Sequence, residues 1–119
     1  MTSREIASDT WTAKIYCGLV EGYVGKEHSI VEAESLCQEY CDEIGWCVTV
    51  TPTKFIYKNG SEPGFVVGII QYPRFPTNVI VLRGRALELA DRLRIRLNQI
   101  RLTVELPDKT IMLSGEEPE

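Results

Sequence analysis

The sequence predicts an α+β domain whose elements follow the order β-α-β-β-α-β, with a short extra strand near the C-terminal end. Three observations support this prediction. Strands are indicated by segments of alternating polarity near both ends of the chain and by a continuous apolar run at 65–70. Two segments, 28–45 and 78–99, carry apolar residues at helical spacing. The dipeptide Asn59-Gly60 is a strong turn signal between two β-rich segments.

The first strand and the first helix are predicted before residue 46. Residues 13–25 begin with strict alternation, which is typical of a strand with one buried face. The helix at 28–45 begins with the capping-box residues Ser29 and Glu32. In that motif the hydroxyl accepts from a free backbone N–H and the carboxylate bonds back to the cap. Gly45 is a natural end for the helix.

A hairpin is predicted next. Residues 46–60 are rich in β-branched side chains, so they indicate a strand. Pro52 cannot donate a hydrogen bond to a neighbouring strand, so the strand lies at a sheet edge there or has a bulge. The turn residues 59–64 predict a loop longer than the minimal two residues. Residues 65–72 are apolar on both faces, as in a central strand.

The second half of the domain contains another helix and one or two strands. The helix at 78–99 can be capped by Thr77 or Asn78. Residues 101–107 alternate in polarity, and 110–113 can form a short last strand. The complete order is the ferredoxin-like split pattern, with two helices on one face of an antiparallel sheet. The other face of that sheet must be polar or covered by another subunit.

Length and charge limit the classes of function. We expect one domain at 12–113, a loose arm at 1–11 and an acidic, disordered tail at 114–119. The net charge of −4 and pI of about 5.1 argue against general binding to nucleic acid or to an anionic membrane. Arg4 and Glu5 interrupt any secretory signal, and no apolar segment is long enough to span a membrane. A cytoplasmic location is therefore expected.

The residues that usually perform catalysis or bind metals are sparse. His28 is the one histidine, and no nucleotide-binding or hydrolase motif is present. His28 could join Cys37, Cys41 and Cys47 in a metal site, but their spacing is not that of paired zinc ligands. Free cysteines are usually buried, so these three and Cys17 are interpreted as core residues. No metal and no cofactor are expected.

Arginines concentrate on the second helix and at its exit. These long side chains can cover the edge of the core and pair with the many acids, or they can form a site for phosphate or carboxylate. The sequence leaves both interpretations open. Ile80, Val81 and Ile95 face away from the core on the same helix, which suggests contact with a second subunit. The arginines are Arg83, Arg85, Arg92, Arg94, Arg96 and Arg101.

The segment YPRFP at 72–76 follows the central strand directly. Its two prolines exclude both a helix and a regular strand and hold the backbone extended. Its aromatic side chains can plug the end of the core or line a pocket. A pocket here would bind a small anion by aromatic stacking and a guanidinium fork. The predicted ligand-binding residues are Tyr72, Arg74 and Phe75, with supporting charge from Arg85, Arg92 or Lys54.

The segments KIYCGL, VVGII and LTVEL, with the helices between them, resemble small ferredoxin-like oligomers in their order. The nitrogen-regulatory PII proteins and the CutA-type trimers are examples. No binding motif of those proteins matches residue by residue, so no site residues are transferred. The stretches TPTKFIYKNG and YPRFP also resemble small uncharacterised phage or prophage proteins. That resemblance implies a role in sequestering a host signal molecule or blocking a host protein.

The main functional hypothesis is a non-catalytic, homo-oligomeric module that binds a small anionic, nucleotide-like ligand between subunits. One alternative is a protein-interaction module that inhibits or scaffolds a host or partner protein. Another is a cofactor-independent enzyme of the α+β-barrel type. It would stabilise an enolate or oxyanion with Tyr16, Tyr72, His28 or an arginine.

Overall fold

The computed structural model describes residues 2–22 and 24–115. The predicted α+β order is confirmed, including the extra C-terminal strand. Most predicted boundaries shift by only a few residues, although the first strand is shorter than predicted. The elements are β1 (Thr12–Gly18), α1 (Ile30–Ile44), β2 (Thr49–Tyr57), β3 (Gly60–Ile70), α2 (Val79–Arg96), β4 (Arg101–Glu105) and β5 (Thr110–Ser114).

The five strands form one antiparallel sheet in the order β2-β3-β1-β4-β5. Both helices pack on the same face of the sheet, because residues of both belong to one buried cluster with alternate residues of the strands. In β1, for example, Ile15 and Cys17 are buried while Lys14 and Tyr16 lie on the other face. In β3, Val67 is in the core and Val66 is half-buried on the face without helices. We call that second face the open face.

Helix α1 begins and ends where the sequence predicted, but one contact differs. The Ser29 hydroxyl accepts from the backbone N–H of Val31 at 2.9 Å. Gly45 ends the helix in the left-handed region, with φ of 69°. The predicted second half of the capping box is wrong, because the Glu32 carboxylate contacts the His28 ring at 2.6 Å. The His28 ring therefore binds the Glu32 carboxylate, which in a capping box would bond to the backbone N–H of Ser29.

The β2–β3 hairpin is tighter than predicted. Tyr57 pairs with Gly60, so the turn consists of Lys58 and Asn59 alone, and Asn59 has a positive φ of 63°. The predicted loop over 59–64 is wrong because this asparagine adopts the left-handed conformation that a two-residue hairpin turn needs. The residues after Gly60 are therefore available to continue β3.

Two prolines lie within the hairpin at positions that tolerate them. Pro52 lies in β2, which is the edge strand, as predicted. Pro63 lies in β3, and β1 pairs with β3 only from Gly64 onward. Pro52 therefore has a neighbouring strand on one side only, and Pro63 lies just beyond the paired part of β1, where its carbonyl accepts from the N–H of Leu19 at 3.1 Å. The β3 strand consequently extends past the end of β1, which places Glu62 beyond the last residue of β1.

The two ends of the chain are only partly described. Residues 2–11 contain no helix or strand, although the carbonyl of Trp11 accepts from the N–H of Gln71 at 2.9 Å. The predicted acidic tail begins inside β5, since Ser114 belongs to that strand, and 116–119 lie outside the described residues. Among the residues that are described, no helix has the length and hydrophobicity needed to cross a membrane.

Candidate functional site

A cleft opens at one end of the sheet, where the end of β1, the start of β3 and the α2–β4 connection meet. Its volume is about 170 Å³. A neighbouring cavity of about 440 Å³ shares Gly22, Gln99 and Ile100 with it and adds Glu21 and Asn98. The smaller of the two, the cleft, is lined by Val20, Gly22, Glu62, Gln99, Ile100 and Arg101.

Gly18, the last residue of β1, lies next to two of the residues that line the cleft. A Cβ at this position would lie 3.0 Å from Oε1 of Gln99 and 3.4 Å from Oε1 of Glu62. Two oxygen acceptors from distant parts of the chain therefore converge over a glycine. An arrangement of this kind is suited to a ligand group that donates several hydrogen bonds, such as an ammonium or an amino group.

Gln99 is held in one orientation. Its Nε2 donates to the carbonyl of Val20 and to that of Leu97, each at 3.1 Å. Its backbone N–H donates to the carbonyl of Arg94 at 2.8 Å. Both N–H groups of the side-chain amide are thus used by the protein, and the amide oxygen is the atom presented above Gly18. The residue is 8% exposed, so little solvent competes for this geometry.

A charged cluster borders the wider cavity. His28 is 7% exposed, and its Nε2 lies 2.6 Å from Glu21 while its Nδ1 lies 2.6 Å from Glu32. The other oxygen of Glu21 accepts from Nδ2 of Asn98 at 2.9 Å. Hydrogen bonding to Glu32 and Glu21 raises the pKa of His28. Hydrogen bonds from Asn98 and His28 lower the pKa of Glu21.

The ligand-binding residues predicted from the YPRFP segment lie elsewhere. Tyr72 and Phe75 do contact each other, with ring centroids 5.2 Å apart. The Cys47 thiol donates to the Tyr72 hydroxyl at 3.5 Å. Arg74 is exposed, and Lys54 lies exposed in β2. None of these side chains lines the cleft.

The two predicted helix arginines lie along the side of α2 that faces α1 and Trp46. The guanidinium of Arg85 lies 5.8 Å from the ring centroid of Trp46. Arg92 bonds to Glu43 at 2.7 Å and to Glu88 at 2.9 Å. For Arg92, pairing with acids is therefore the interpretation that the structure supports. The predicted site residues thus fall into separate groups rather than one pocket.

Three of the cysteines line a different cavity, of about 390 Å³, between α1 and the segment 46–50. Cys17 and Cys37 are buried, as predicted, and burial raises the pKa of each thiol to about 12. Cys47 was also predicted in the core but is exposed, because it precedes the first residue of β2. Within the described ranges, no group of three His, Cys, Asp or Glu residues could hold a metal ion.

The four thiols should differ strongly in reactivity. In the folded protein, a chromogenic aromatic disulfide should react fastest with Cys47, because a thiol must be accessible and ionised to attack it. Cys17 and Cys37 should react only after denaturation. Stopped-flow absorbance would measure these phases, and Cys47→Ser should remove the fastest. Rapid reaction of all four thiols in the native protein would contradict the burial described here.

Sequence reasoning missed the residues that form the cleft. Glu62 was treated as part of a turn, and Gln99 lay at the predicted end of the second helix. No local pattern marks either residue, since they meet only through strand pairing and the α2–β4 connection. The i, i+4 spacing of His28 and Glu32 was a usable signal for their contact.

Comparison with solved structures gives two matches that cover all of this chain and all of the other chain. Both are phage SAM lyase. The structure in complex with S-methyl-5'-thioadenosine has a TM-score of 0.77, and the structure in the apo state has a TM-score of 0.72, each at 14% sequence identity. No protein-family model and no curated protein matches the sequence, so the resemblance to PII and CutA proteins gains no support.

At this level of identity the likeness shows a shared fold. Both similar chains are small phage proteins, in agreement with the resemblance to phage proteins. The predicted non-catalytic binding module is contradicted by the same comparison, because the fold extends over the full length of an enzyme. The physical reason for the error is that catalysis was judged by the absence of a partnered base, and some reactions do not need one.

Proposed function

We propose that this protein is a lyase that cleaves S-adenosylmethionine. The observation that supports this proposal is the whole-chain likeness in fold to phage SAM lyase, one structure of which contains S-methyl-5'-thioadenosine. That nucleoside is S-adenosylmethionine without its aminobutyrate chain. We propose that the aminobutyrate chain of the substrate binds in the cleft, where acceptor oxygens of Glu62 and Gln99 lie above Gly18.

The bond to be broken follows from the product. S-methyl-5'-thioadenosine keeps the methyl group and the 5'-carbon on sulfur, so the bond between sulfur and Cγ of the aminobutyrate chain breaks. The electron pair of that bond goes to the positive sulfur, which leaves as a neutral thioether. A lyase adds no water, so we propose that the carboxylate of the substrate itself attacks Cγ and closes a lactone. Charge balances in this step, and no proton has to be removed by the protein.

The residues of the cleft are suited to positioning in such a reaction. We propose that Glu62 and the amide oxygen of Gln99 accept hydrogen bonds from the α-ammonium of the substrate. Held in this way, the aminobutyrate chain of the substrate would be folded with its carboxylate behind Cγ. A geometry that is ready for attack can supply a large part of a rate enhancement.

The proposal predicts that purified protein converts S-adenosylmethionine to S-methyl-5'-thioadenosine and homoserine lactone, detected by liquid chromatography and mass spectrometry. S-adenosylhomocysteine should not be cleaved, because its sulfur is an uncharged thioether and would leave as an anion. In heavy-oxygen water, later opening of the lactone places the label in the carboxyl group, whereas direct hydrolysis places it in the hydroxyl group. Failure to form the nucleoside from S-adenosylmethionine would contradict the proposal.

The predicted homo-oligomer stays a prediction. It is supported by Val66 on the open face and by Ile56, which is 80% exposed on the projecting hairpin. Ile80 and Ile95 are also exposed on α2, at 78% and 62%. Surfaces of this kind are typical of contacts between subunits. A small ligand as partner is consistent with the nucleoside held by the similar phage enzyme.

A further inference from the structure

We propose that His28 is a positioning residue for the cleft. In this proposal the charged imidazolium, held between Glu21 and Glu32, fixes the turn that presents Gln99. The inference rests on the proposed function only for the nucleoside used in part of its test.

Both nitrogens of His28 contact a carboxylate oxygen at 2.6 Å. A carboxylate can only accept, so each ring nitrogen must carry a proton for both contacts to be hydrogen bonds. The ring is therefore an imidazolium in this arrangement, and two charge-assisted bonds of this length are strong. The backbone N–H of His28 also donates to the carbonyl of Leu19 at 2.7 Å, which holds the ring beside the end of β1.

Glu21 connects this ring to the α2–β4 connection. One of its oxygens contacts His28, and the other accepts from the side chain of Asn98. Asn98 is in the left-handed region, with φ of 49°, and its backbone N–H donates to the carbonyl of Ile95 at 3.1 Å. The next residue is Gln99, whose oxygen lies above Gly18. Loss of the Glu21 contact would remove the side-chain link from Asn98 to the β1–α1 connection and leave the bond from the Gln99 amide to the Val20 carbonyl.

The charged groups around His28 come from three parts of the chain. Glu21 and Lys26 lie in the β1–α1 connection, and Glu32 lies in the first turn of α1. Arg94 of α2 lines the same cavity as Glu21. The contacts of His28 itself are with the two carboxylates, so their negative charge raises its pKa above the ordinary value of 6.5.

The sign of the pH effect follows from these shifts. A raised pKa means that the stabilisation by His28 is complete at low pH and is lost as pH rises through the raised value. The pKa of Glu21 is lowered from 4.5, so its contribution is lost only as pH falls below that range. The cluster should therefore be intact between acidic pH and the pKa of His28, and should open above it.

The first readout needs no ligand. His28 is the only histidine, so its ring gives one set of imidazole NMR signals, whose pH titration measures its pKa directly. The backbone amide signals of Asn98 and Gln99 should move with the same midpoint. Glu32→Gln removes the one of the two carboxylates that lines neither cavity, so it should lower that midpoint for the ring and the two amides together. If the two amides do not follow the ring, the inference is wrong.

The second readout is calorimetric binding of S-adenosylhomocysteine, a nucleoside that keeps the α-ammonium group proposed to contact Gln99 and should not be cleaved. Affinity of the unsubstituted protein should fall about tenfold between about pH 6 and about pH 9, the size expected for one charge-assisted hydrogen bond. His28→Gln should bind about tenfold more weakly at about pH 6, with little change at higher pH. Circular dichroism would check that this variant folds. Tight, still pH-dependent binding by folded His28→Gln would overturn the inference.

The two proposals can fail separately. If no nucleoside binds at any pH, the proposed function fails, and the amide titration still decides whether His28 positions the turn. If the nucleoside binds but its affinity does not depend on the protonation of His28, the positioning role fails and the lyase proposal remains.

Discussion

Replacing Glu62 with glutamine should lower kcat/KM for cleavage of S-adenosylmethionine by about a hundredfold, which corresponds to about 2.7 kcal/mol of lost transition-state stabilisation. Glutamine keeps the size and one oxygen acceptor of the side chain but removes the negative charge. In the proposed complex that charge pairs with the α-ammonium of the substrate next to the Gln99 oxygen. Steady-state assays of nucleoside formation would measure the loss.

The matched control for this variant is Glu34→Gln. Glu34 lines the separate cavity that contains Cys37 and Cys41, so the same change of charge is made away from the cleft. This control should retain activity within a factor of about two. Equal losses in both variants would point to a general effect of charge, and unchanged activity in Glu62→Gln would remove Glu62 from the proposed site.

The division of the loss between kcat and KM tests how Glu62 acts. If the carboxylate only binds the ammonium, KM rises and kcat changes little, because ground state and transition state are held alike. If the carboxylate also folds the substrate for attack, kcat of the Glu62→Gln variant falls in addition to the rise in KM. If it instead removes a proton from carbon, an unsaturated amino acid would replace the lactone as product. Product analysis therefore separates a positioning carboxylate from a base.

The fold was predictable because most of its signals are local. Asn78 accepts from the N–H of Ile80 at 2.8 Å as a helix cap, and Gly45 ends α1, both as expected. Alternation in β1 predicted which side chains are buried. The hairpin was predicted less well, because the conformation of Asn59 decides between a two-residue turn and a longer loop, and that conformation depends on the pairing of both strands.

The proposed site was not predictable in the same way. Glu62 reaches the cleft because β3 extends beyond Gly18, and Gln99 reaches it because the chain turns at Asn98. Both facts belong to the three-dimensional arrangement rather than to a local pattern. The arginines were predicted as ligand-binding residues because a concentration of charge can be read from the sequence. The partners of Arg92, one of them on α1, become visible only when the helices are packed.

The kind of reaction proposed explains why the sequence did not favour an enzyme. A nucleophile or base leaves a recognisable mark, because it needs a partner of a particular type at hydrogen-bond distance. A reaction in which the substrate supplies its own nucleophile leaves no such mark. Under the proposed function, the protein would only have to bind, fold and shield the substrate, and the Glu62 carboxylate and Gln99 amide could do this without any motif.

Gly64→Ala should lower the free energy of unfolding by about 3 kcal/mol, the upper part of the usual cost of overpacking a well-packed site. A Cβ at Gly64 would lie 2.3 Å from the ring of Phe55 and 2.6 Å from the carbonyl oxygen of Cys17. The ring can rotate away, but the carbonyl belongs to β1, which pairs with β3 at this point. The strands themselves must therefore move, and urea denaturation followed by circular dichroism would measure the cost.

The matched substitution is Gly84→Ala, the same change in the exposed middle of α2. Apart from its chain neighbours and the nearby helix backbone, no atom lies within 4 Å of the Cβ it would add. Alanine is favoured over glycine inside a helix, so stability should rise by about 0.5–1 kcal/mol. Opposite signs in the two variants would show that contact with β1 determines the result at Gly64. Because Gly64 pairs with Gly18, above which the Glu62 and Gln99 oxygens lie, Gly64→Ala should also reduce the proposed cleavage of S-adenosylmethionine, whereas Gly84→Ala should not. A stable Gly64→Ala protein with full activity would contradict both the strand packing and the location of the cleft.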